Sequence, residues 1–184
     1  MIARAGFRSW EAAAMVGDAP CGFVPIDWLK DDVEASSDPV VSDVTLTVEV
    51  RYLPSGLMPW ALLGARFDPS PGRVVEFEVG HTGQSPMGSA PSCQGPLGRP
   101  LVPALPLEVA RGAMAGLIGC NEPLPPGRLT VVAGGYDVVD ASFYIFERAA
   151  YLLRLLLPAA LSRDGVTKEV FDAALQQCVD SGRY

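Results

Sequence analysis

LPLEVARGAMAGLIGCNEPLPPGRLTVVAGGYDVVDASFYIFERAAYLLRLLL, residues 105–157, has the pattern of two long helices with one short strand between them. Pro106 suits a first helical turn, and apolar residues then recur at helical spacing until Gly119. A proline-marked loop leads into an apolar strand at Leu129 to Ala133, and a second amphipathic helix is predicted from about Ala141 to Leu157. This alternation of helix and strand predicts a mixed α/β fold.

Short signals mark the ends of these elements. Gly134-Gly135 is predicted to turn the chain after the strand, and Asp140 is the expected cap of the second helix. A last amphipathic helix is predicted from its cap Thr167 through Val179.

Three strands are predicted upstream of this stretch. Residues Val44 to Val50 alternate between apolar and polar side chains, which is typical of a strand with one wet face. Trp60 to Phe67 and Arg73 to Val79 are two further strand candidates. The polar side chains of these strands, Glu49 among them, are expected on a solvated sheet surface.

The chain is expected to form one domain with decorations. Residues 1–38 are predicted to be an N-terminal extension, residues 39–165 the α/β domain, and residues 166–184 a C-terminal helix packed on the same domain. Within the extension, a short helix is predicted at Trp10 to Val16 and a weaker helical turn at Ile26 to Val33.

The composition indicates an acidic chain with an ordinary core. Hydrophobic residues make up 49% and charged residues 19% of the 184 residues, which excludes a disordered protein. The net charge of −7 repels phosphate backbones, so a broad nucleic-acid-binding face is not expected. No apolar run approaches the roughly 20 residues of a membrane span, and no signal peptide is recognisable. A cytoplasmic location without membrane contact is predicted.

Candidate chemistry is concentrated in residues 80–104, which are rich in glycine and proline and predicted to form a long loop. His81 is the single histidine, and an ordinary surface histidine is the more common explanation than an acid/base or metal role. Cys93 could pair with it as thiol and imidazole. The four cysteines are scattered singly, so buried or free thiols are favoured over a structural metal site or a disulfide. No metal or other cofactor is expected.

Two motifs within residues 105–157 resemble domain IV of bacterial elongation factor G. Gly135-Tyr136-Asp137-Val138-Val139-Asp140-Ala141-Ser142, continued by Phe146 and Ala149, is similar to the Gly-Ser-Tyr-His-x-Val-Asp-Ser-Ser stretch and helix of that family. Leu105-Pro106-Leu107-Glu108, followed by a helix, is similar to the family's Ile-Pro-x-Glu helix start. The motifs stand in the family's order, whereas residues 40–100 match only as strands and both ends lack a counterpart.

The resemblance implies an α/β fold of the α+β two-layer type, with a split β-α-β layer and a left-handed crossover like that of a small-subunit ribosomal protein domain. It also implies that the loop tip at Tyr136 and Asp137 contacts the partner, since such tips in the family reach the ribosomal decoding site. Asp137 stands where the family has a tip histidine, and a carboxylate repels phosphate, which counts against a translocase-like role. The chain contains no phosphate-binding loop of the GTPase type, so no GTP-driven motor is expected.

The sequence favours a stand-alone, translation-related binding module of bacterial type, with His81, Cys93, Tyr136 and Asp137 as its candidate binding residues. A protein, an RNA or the ribosome is the expected partner, and enzymatic activity is left open although a non-catalytic role is favoured. An alternative is a small enzyme or ligand-binding protein whose pocket, containing His81 or Cys93, lies near residues 80–104. A third interpretation is a homo-oligomeric subunit whose N-terminal arm and C-terminal helix form the interface.

Overall fold

Three helices lie on one side of a wide mixed sheet, as expected for the α/β class. The computed structural model describes residues 2–36, 38, 42–53, 58–84, 90–137 and 141–181. The described strands are β1 (Ile2–Phe7), β2 (Trp10–Val16), β3 (Asp27–Glu34), β4 (Val44–Tyr52), β5 (Trp60–Pro69), β6 (Val74–His81), β7 (Cys93–Gln94), β8 (Pro100–Pro103) and β9 (Gly127–Tyr136). The described helices are α1 (Leu107–Gly119), α2 (Phe143–Leu161) and α3 (Lys168–Asp180).

The main sheet has the strand order β1-β2-β4-β5-β9-β6-β3. Within the described residues, β6 and β9 are the one parallel pair, and α1 connects them. The expected split of this β-α-β unit is wrong, because β6 and β9 bond directly to each other. The short strand β8 pairs with the C-terminal end of β9, on the same side of β9 as β6, and β7 pairs with β8. Residues 80–104 are therefore not purely a loop.

The strands predicted between Val44 and Val79 are confirmed, and the predicted strand at Leu129 to Ala133 is longer than expected. The Gly134-Gly135 pair lies inside β9 instead of turning the chain. A Cβ at Gly135 would meet the side chain of Leu101 at 2.9 Å and Cys21 Sγ at 3.1 Å. The missing side chain therefore allows neighbouring segments to approach the strand closely.

The predicted N-terminal extension is wrong, because residues 1–38 contribute three strands to the same sheet. Trp10 to Val16, predicted to be helical, is β2, and it pairs with β1 on one side and β4 on the other. Alanine favours helices in isolation, but Ala12 and Ala13 are fully buried in a strand with partners on both sides. Ile26 to Val33, predicted as a helical turn, mostly belongs to edge strand β3.

The helices begin and end close to their predicted positions. Ser142 Oγ accepts a hydrogen bond from the Ile145 amide at 3.4 Å and caps α2, whereas the expected cap, Asp140, lies outside the described residues. Thr167 caps α3 as predicted. Of the apolar stripe predicted for α3, Val170 is exposed. The other members are buried and pack on α2 and β1 within the same chain, namely Phe171, Ala174, Leu175 and Cys178.

Two buried arginines of α2 satisfy the carboxyl ends of the other two helices. Arg154 donates to the Leu117 carbonyl near the end of α1, and Arg148 Nη1 donates to the Cys178 carbonyl near the end of α3 at 3.1 Å. Neither α1 nor α3 has a basic residue in its own last turn. A guanidinium from the neighbouring helix therefore fills the role that a local lysine or arginine often has.

Helices α1 and α2 approach each other closely at two glycines. A Cβ at Gly112 would collide with the Phe143 carbonyl oxygen, and a Cβ at Gly116 would collide with the Glu147 carbonyl oxygen. Both obstacles are backbone atoms, so rotation of a side chain cannot relieve them. The packing of the helix layer therefore requires glycine at these positions.

Gly116→Ala should lower the free energy of unfolding by about 1–3 kcal/mol, because the added methyl group overpacks the contact between the helices. Gly119→Ala is the matched control, since a Cβ there meets nothing within 4 Å. The control should leave stability unchanged or raise it by up to about 1 kcal/mol, because alanine favours the helix more than glycine does. Urea denaturation followed by circular dichroism measures both variants, and equal destabilisation would contradict the proposed close packing.

Candidate functional site

Two loop segments cover part of the sheet face opposite the helices. We call residues 17–26 and 90–99 the cap, and a Cys21–Cys93 disulfide joins its two segments. Cys21 of the cap forms a small apolar cluster with Trp60, Leu62 and Leu101 beneath it. This cluster is separate from the core on the helix side. The cap therefore gives the sheet a second, smaller core.

Backbone contacts fix the cap on the sheet. Cys21 has a left-handed backbone with φ of 63°, a conformation that residues other than glycine rarely adopt, and its carbonyl accepts from the Gly134 amide at 3.1 Å. In the other segment, a Cβ at Gly95 would lie 2.5 Å from both Glu49 Oε2 and Leu62. Glycine at this position allows the cap to close over the sheet.

Glu49 is a fully buried carboxylate beneath the cap. Trp60 Nε1 donates to Glu49 Oε1 at 2.6 Å, and the Leu97 amide of the cap donates to Glu49 Oε2. Burial raises the pKa of Glu49 above its ordinary value, although the hydrogen bonds from Leu97 and Trp60 and the charge of Arg51 act in the opposite direction. The expectation of a solvated Glu49 is wrong, because the cap covers this part of the sheet.

Two arginines lie against the indole ring of Trp60. The guanidinium carbons of Arg51 and Arg99 are 4.9 Å and 5.2 Å from the ring centroid. Arg51 Nε donates to Glu11 Oε2 at 2.6 Å, and Arg99 forms an ion pair with Asp137. The predicted binding residue Asp137 is thus connected to the capped face through Arg99.

Two other predicted binding residues, His81 and Tyr136, are buried within the fold. His81 is buried at the end of β6, and its Nδ1 accepts from the Gly83 amide at 3.2 Å. Tyr136 is 2% exposed and belongs to the helix-side core, next to Asp137. Binding at Tyr136 and Asp137 stays a prediction.

The four cysteines form two free thiols and one disulfide. Cys120 and Cys178 are buried free thiols as predicted, and burial raises the pKa of Cys178 to about 12. Cys21 and Cys93 are not thiols, because they form the disulfide. A thiol and imidazole pair of Cys93 with His81 is therefore excluded. The spacing of 72 residues carries no local signal for this pairing, since only the fold brings the two cap segments together.

A hollow of about 480 Å³ lies beside the loop in which the sequence predicted a pocket. Neither His81 nor Cys93 contributes to its lining, and no charged side chain lines it among the residues that the structure describes. The lining consists of Phe23, Val24, Thr82, Ala90, Ser92, Val102, Pro103 and Ala104. Its described lining offers the hydroxyl groups of Thr82 and Ser92.

A groove of about 400 Å³ runs beside β1 and borders the cap at Leu97. We call it the basic groove, because Arg4, Arg51 and Lys168 line it together with one carboxylate, Glu11. Sequence reasoning missed this site. Its cations come from β1, β4 and α3, and no local pattern indicates that these elements meet.

The described residues contain no group of three or more histidine, cysteine or acidic side chains that could hold a metal ion. None of the helices in the described part of the chain is long and apolar enough to cross a membrane. Comparisons with protein-family models, with curated proteins and with solved structures each find no match to this chain.

Removal of the disulfide should destabilise the protein. Cys93→Ser should lower the free energy of unfolding by about 2–4 kcal/mol, because the bond constrains the unfolded chain across 72 residues and fixes the cap. Dithiothreitol should destabilise the wild type similarly and leave Cys93→Ser unchanged. Thiol titration of the denatured, unreduced protein should detect two thiols, and detection of four would contradict the bond.

The raised pKa of Glu49 predicts a pH dependence of stability. The folded protein holds the Glu49 proton more tightly than the unfolded chain, whose value is near 4.5, so this residue stabilises the fold most at low pH. The stability of the wild type relative to Glu49→Gln should therefore fall as the pH rises from about 4.5 through the raised pKa. Trp60→Phe should shift this fall to higher pH, because it removes a donor that lowers the pKa. Urea denaturation across the pH range tests the sign, and a relative stability that rises with pH would contradict it.

Proposed function

We propose that this chain is a non-catalytic binding module that resembles domain IV of elongation factor G and recognises a partner protein. The element order β6, α1, β9, α2 supports the resemblance, whereas the direct pairing of β6 with β9 departs from it. Residues 1–38 add strands that the resembled family lacks. The added hairpin of β1 and β2 supplies one side of the basic groove.

The proposal rests on one observation, namely that the buried carboxylate of Glu49 is fully hydrogen-bonded within the fold. Glu49 is the buried carboxylate of the capped face, and both of its oxygens accept hydrogen bonds from within the fold. A general acid or base must reach the substrate, whereas Glu49 is sealed beneath Leu97 and Gly95. The cluster is thus suited to hold the cap in place, and the basic groove is the accessible charged surface beside it.

A protein is favoured over the ribosome or an RNA as the partner. The net charge of −7 opposes binding to phosphate backbones. Asp137, at the position of the family's tip histidine, is engaged by Arg99. The Cys21–Cys93 disulfide favours an oxidising compartment, whereas a cytoplasmic location, predicted from the sequence, would rarely preserve it.

Photo-crosslinking in cells that produce the protein tests this function. A photoreactive residue placed at Gly6 should form an adduct with a discrete protein, because Gly6 lines the basic groove and a Cβ there meets only Trp10 O, at 3.6 Å. The same residue at exposed Arg73, before β6, is the control and should give no such adduct.

Co-sedimentation with purified ribosomes tests the ribosome as the alternative partner. The oxidised protein at about micromolar concentration should stay in the supernatant at physiological salt. Sedimentation with ribosomes, or an adduct with RNA at Gly6, would overturn the choice of a protein partner. The absence of any adduct at Gly6 would remove the groove as the binding surface.

A further inference from the structure

The two edges of the main sheet differ in how they are protected. At β3, five of the eight residues are charged. The Trp28 amide donates to Asp27 Oδ1 and the Asp32 amide donates to Asp31 Oδ1, both at 2.8 Å. Charged side chains and locally occupied amides are features that prevent the pairing of an edge strand with another chain.

The opposite edge, β1, lacks this protection. Its sequence IARAGF contains one charged residue, Arg4, and three residues with small side chains. Among the described residues, β1 pairs with β2 alone, and none of its amides donates to a side-chain carboxylate. The outer side of this strand therefore offers backbone donors and acceptors to an added strand.

Two recesses of different character flank this open edge. The basic groove contains three cations and one carboxylate, although the whole chain carries a net charge of −7. A second hollow, of about 200 Å³, is lined by apolar groups of β1, β2 and the turn before α3, namely Ala3, Ala14, Val16, Gly165 and Val166. Ala3 and Arg4 are consecutive strand residues, so they point to opposite faces of the sheet.

Arg4 is the cation of the groove that is available to a ligand. Arg51 is paired with Glu11, and Lys168 is paired with Asp172. Arg4 donates to the Pro96 carbonyl at 2.5 Å, and no described carboxylate lies within ion-pair distance of it. The charge of Arg4 acts on the buried Glu49 without forming an ion pair with it, so an acidic side chain beside β1 would complement this charge.

We propose that the edge of β1 binds an extended segment of a partner protein by strand addition, with acidic side chains in the basic groove and apolar side chains in the hollow on the other face. The proposal rests on the binding function above and specifies the class of partner. Alternation is required because successive side chains of a strand point to opposite faces. Backbone hydrogen bonds supply affinity in this mode, and the two recesses supply specificity.

Synthetic peptides test the proposal directly. The probe is a fluorescein-labelled peptide of alternating glutamate and valine, and alternating lysine and valine is its charge-reversed control. Binding is measured by fluorescence anisotropy, and the site is located by backbone amide shifts in ¹⁵N spectra of the oxidised, full-length chain. The acidic peptide should bind, shift the amides of β1, and bind at least about tenfold more tightly than the basic peptide.

Variants and a modified peptide separate strand addition from general charge attraction. Arg4→Glu should weaken binding of the acidic peptide by about tenfold or more, whereas Lys30→Glu on the protected edge β3 should leave it unchanged. Methylation of alternate peptide amides should abolish binding without any change to the protein, because it removes donors from the new ladder. This second arm avoids any ambiguity from a variant that folds poorly.

Several results would overturn the proposal. These are no binding of the acidic peptide up to about 1 mM, equal binding of the methylated peptide, and amide shifts confined to β3. Competition by an oligouridylate that is lost in Arg4→Glu would assign the groove to phosphates instead. A protein adduct at Gly6 without peptide binding would refute strand addition but leave the proposed binding function intact. If neither the adduct nor peptide binding is observed, the proposed binding function is refuted as well.

Discussion

The three helices cover only one face of the main sheet. The rest of the structure depends on how the apolar residues of the other face are shielded from water. Strands with partners on both sides carry apolar residues on both faces, so Leu62 and Trp60 would be exposed without a second cover. The cap covers them over part of the sheet. The remainder of that face carries charged pairs such as Lys30 with Glu78 and Arg128 with Glu76, which need no cover.

The helix layer is held together by polar contacts as well as by its apolar core. Helix α2 lies between α1 and α3, and its arginines reach the last carbonyls of both neighbours. Buried guanidinium groups are costly unless they are hydrogen-bonded, and helix ends supply concentrated acceptors. The two arginines thus fix the relative positions of the three helices.

The cap and the basic groove form one connected unit. Leu97 of the cap bonds to Glu49 and also lines the groove, and Pro96 accepts a hydrogen bond from Arg4. Arg51 links the two regions, since it lies over Trp60 and is paired with Glu11. The disulfide ties the cap segment that carries Pro96 and Leu97 to the other cap segment. A binding surface that rests on such a fixed base loses less conformational entropy when it meets a partner.

Elements with strong periodicity are predictable from the sequence, because alternation and helical spacing are local properties. These elements are strands β4, β5 and β6 and helices α1 and α3. The predicted helix at Trp10 to Val16 was wrong, because local start and stop signals do not register the pairing of this segment with two neighbouring strands. The sequence could not indicate the Cys21–Cys93 bond, the burial of Glu49 or the meeting of Arg4 with Lys168, because these residues are far apart in the chain. Only the tertiary structure brings them together, since the cover of a sheet face and the environment of a charge depend on contacts that no local pattern encodes.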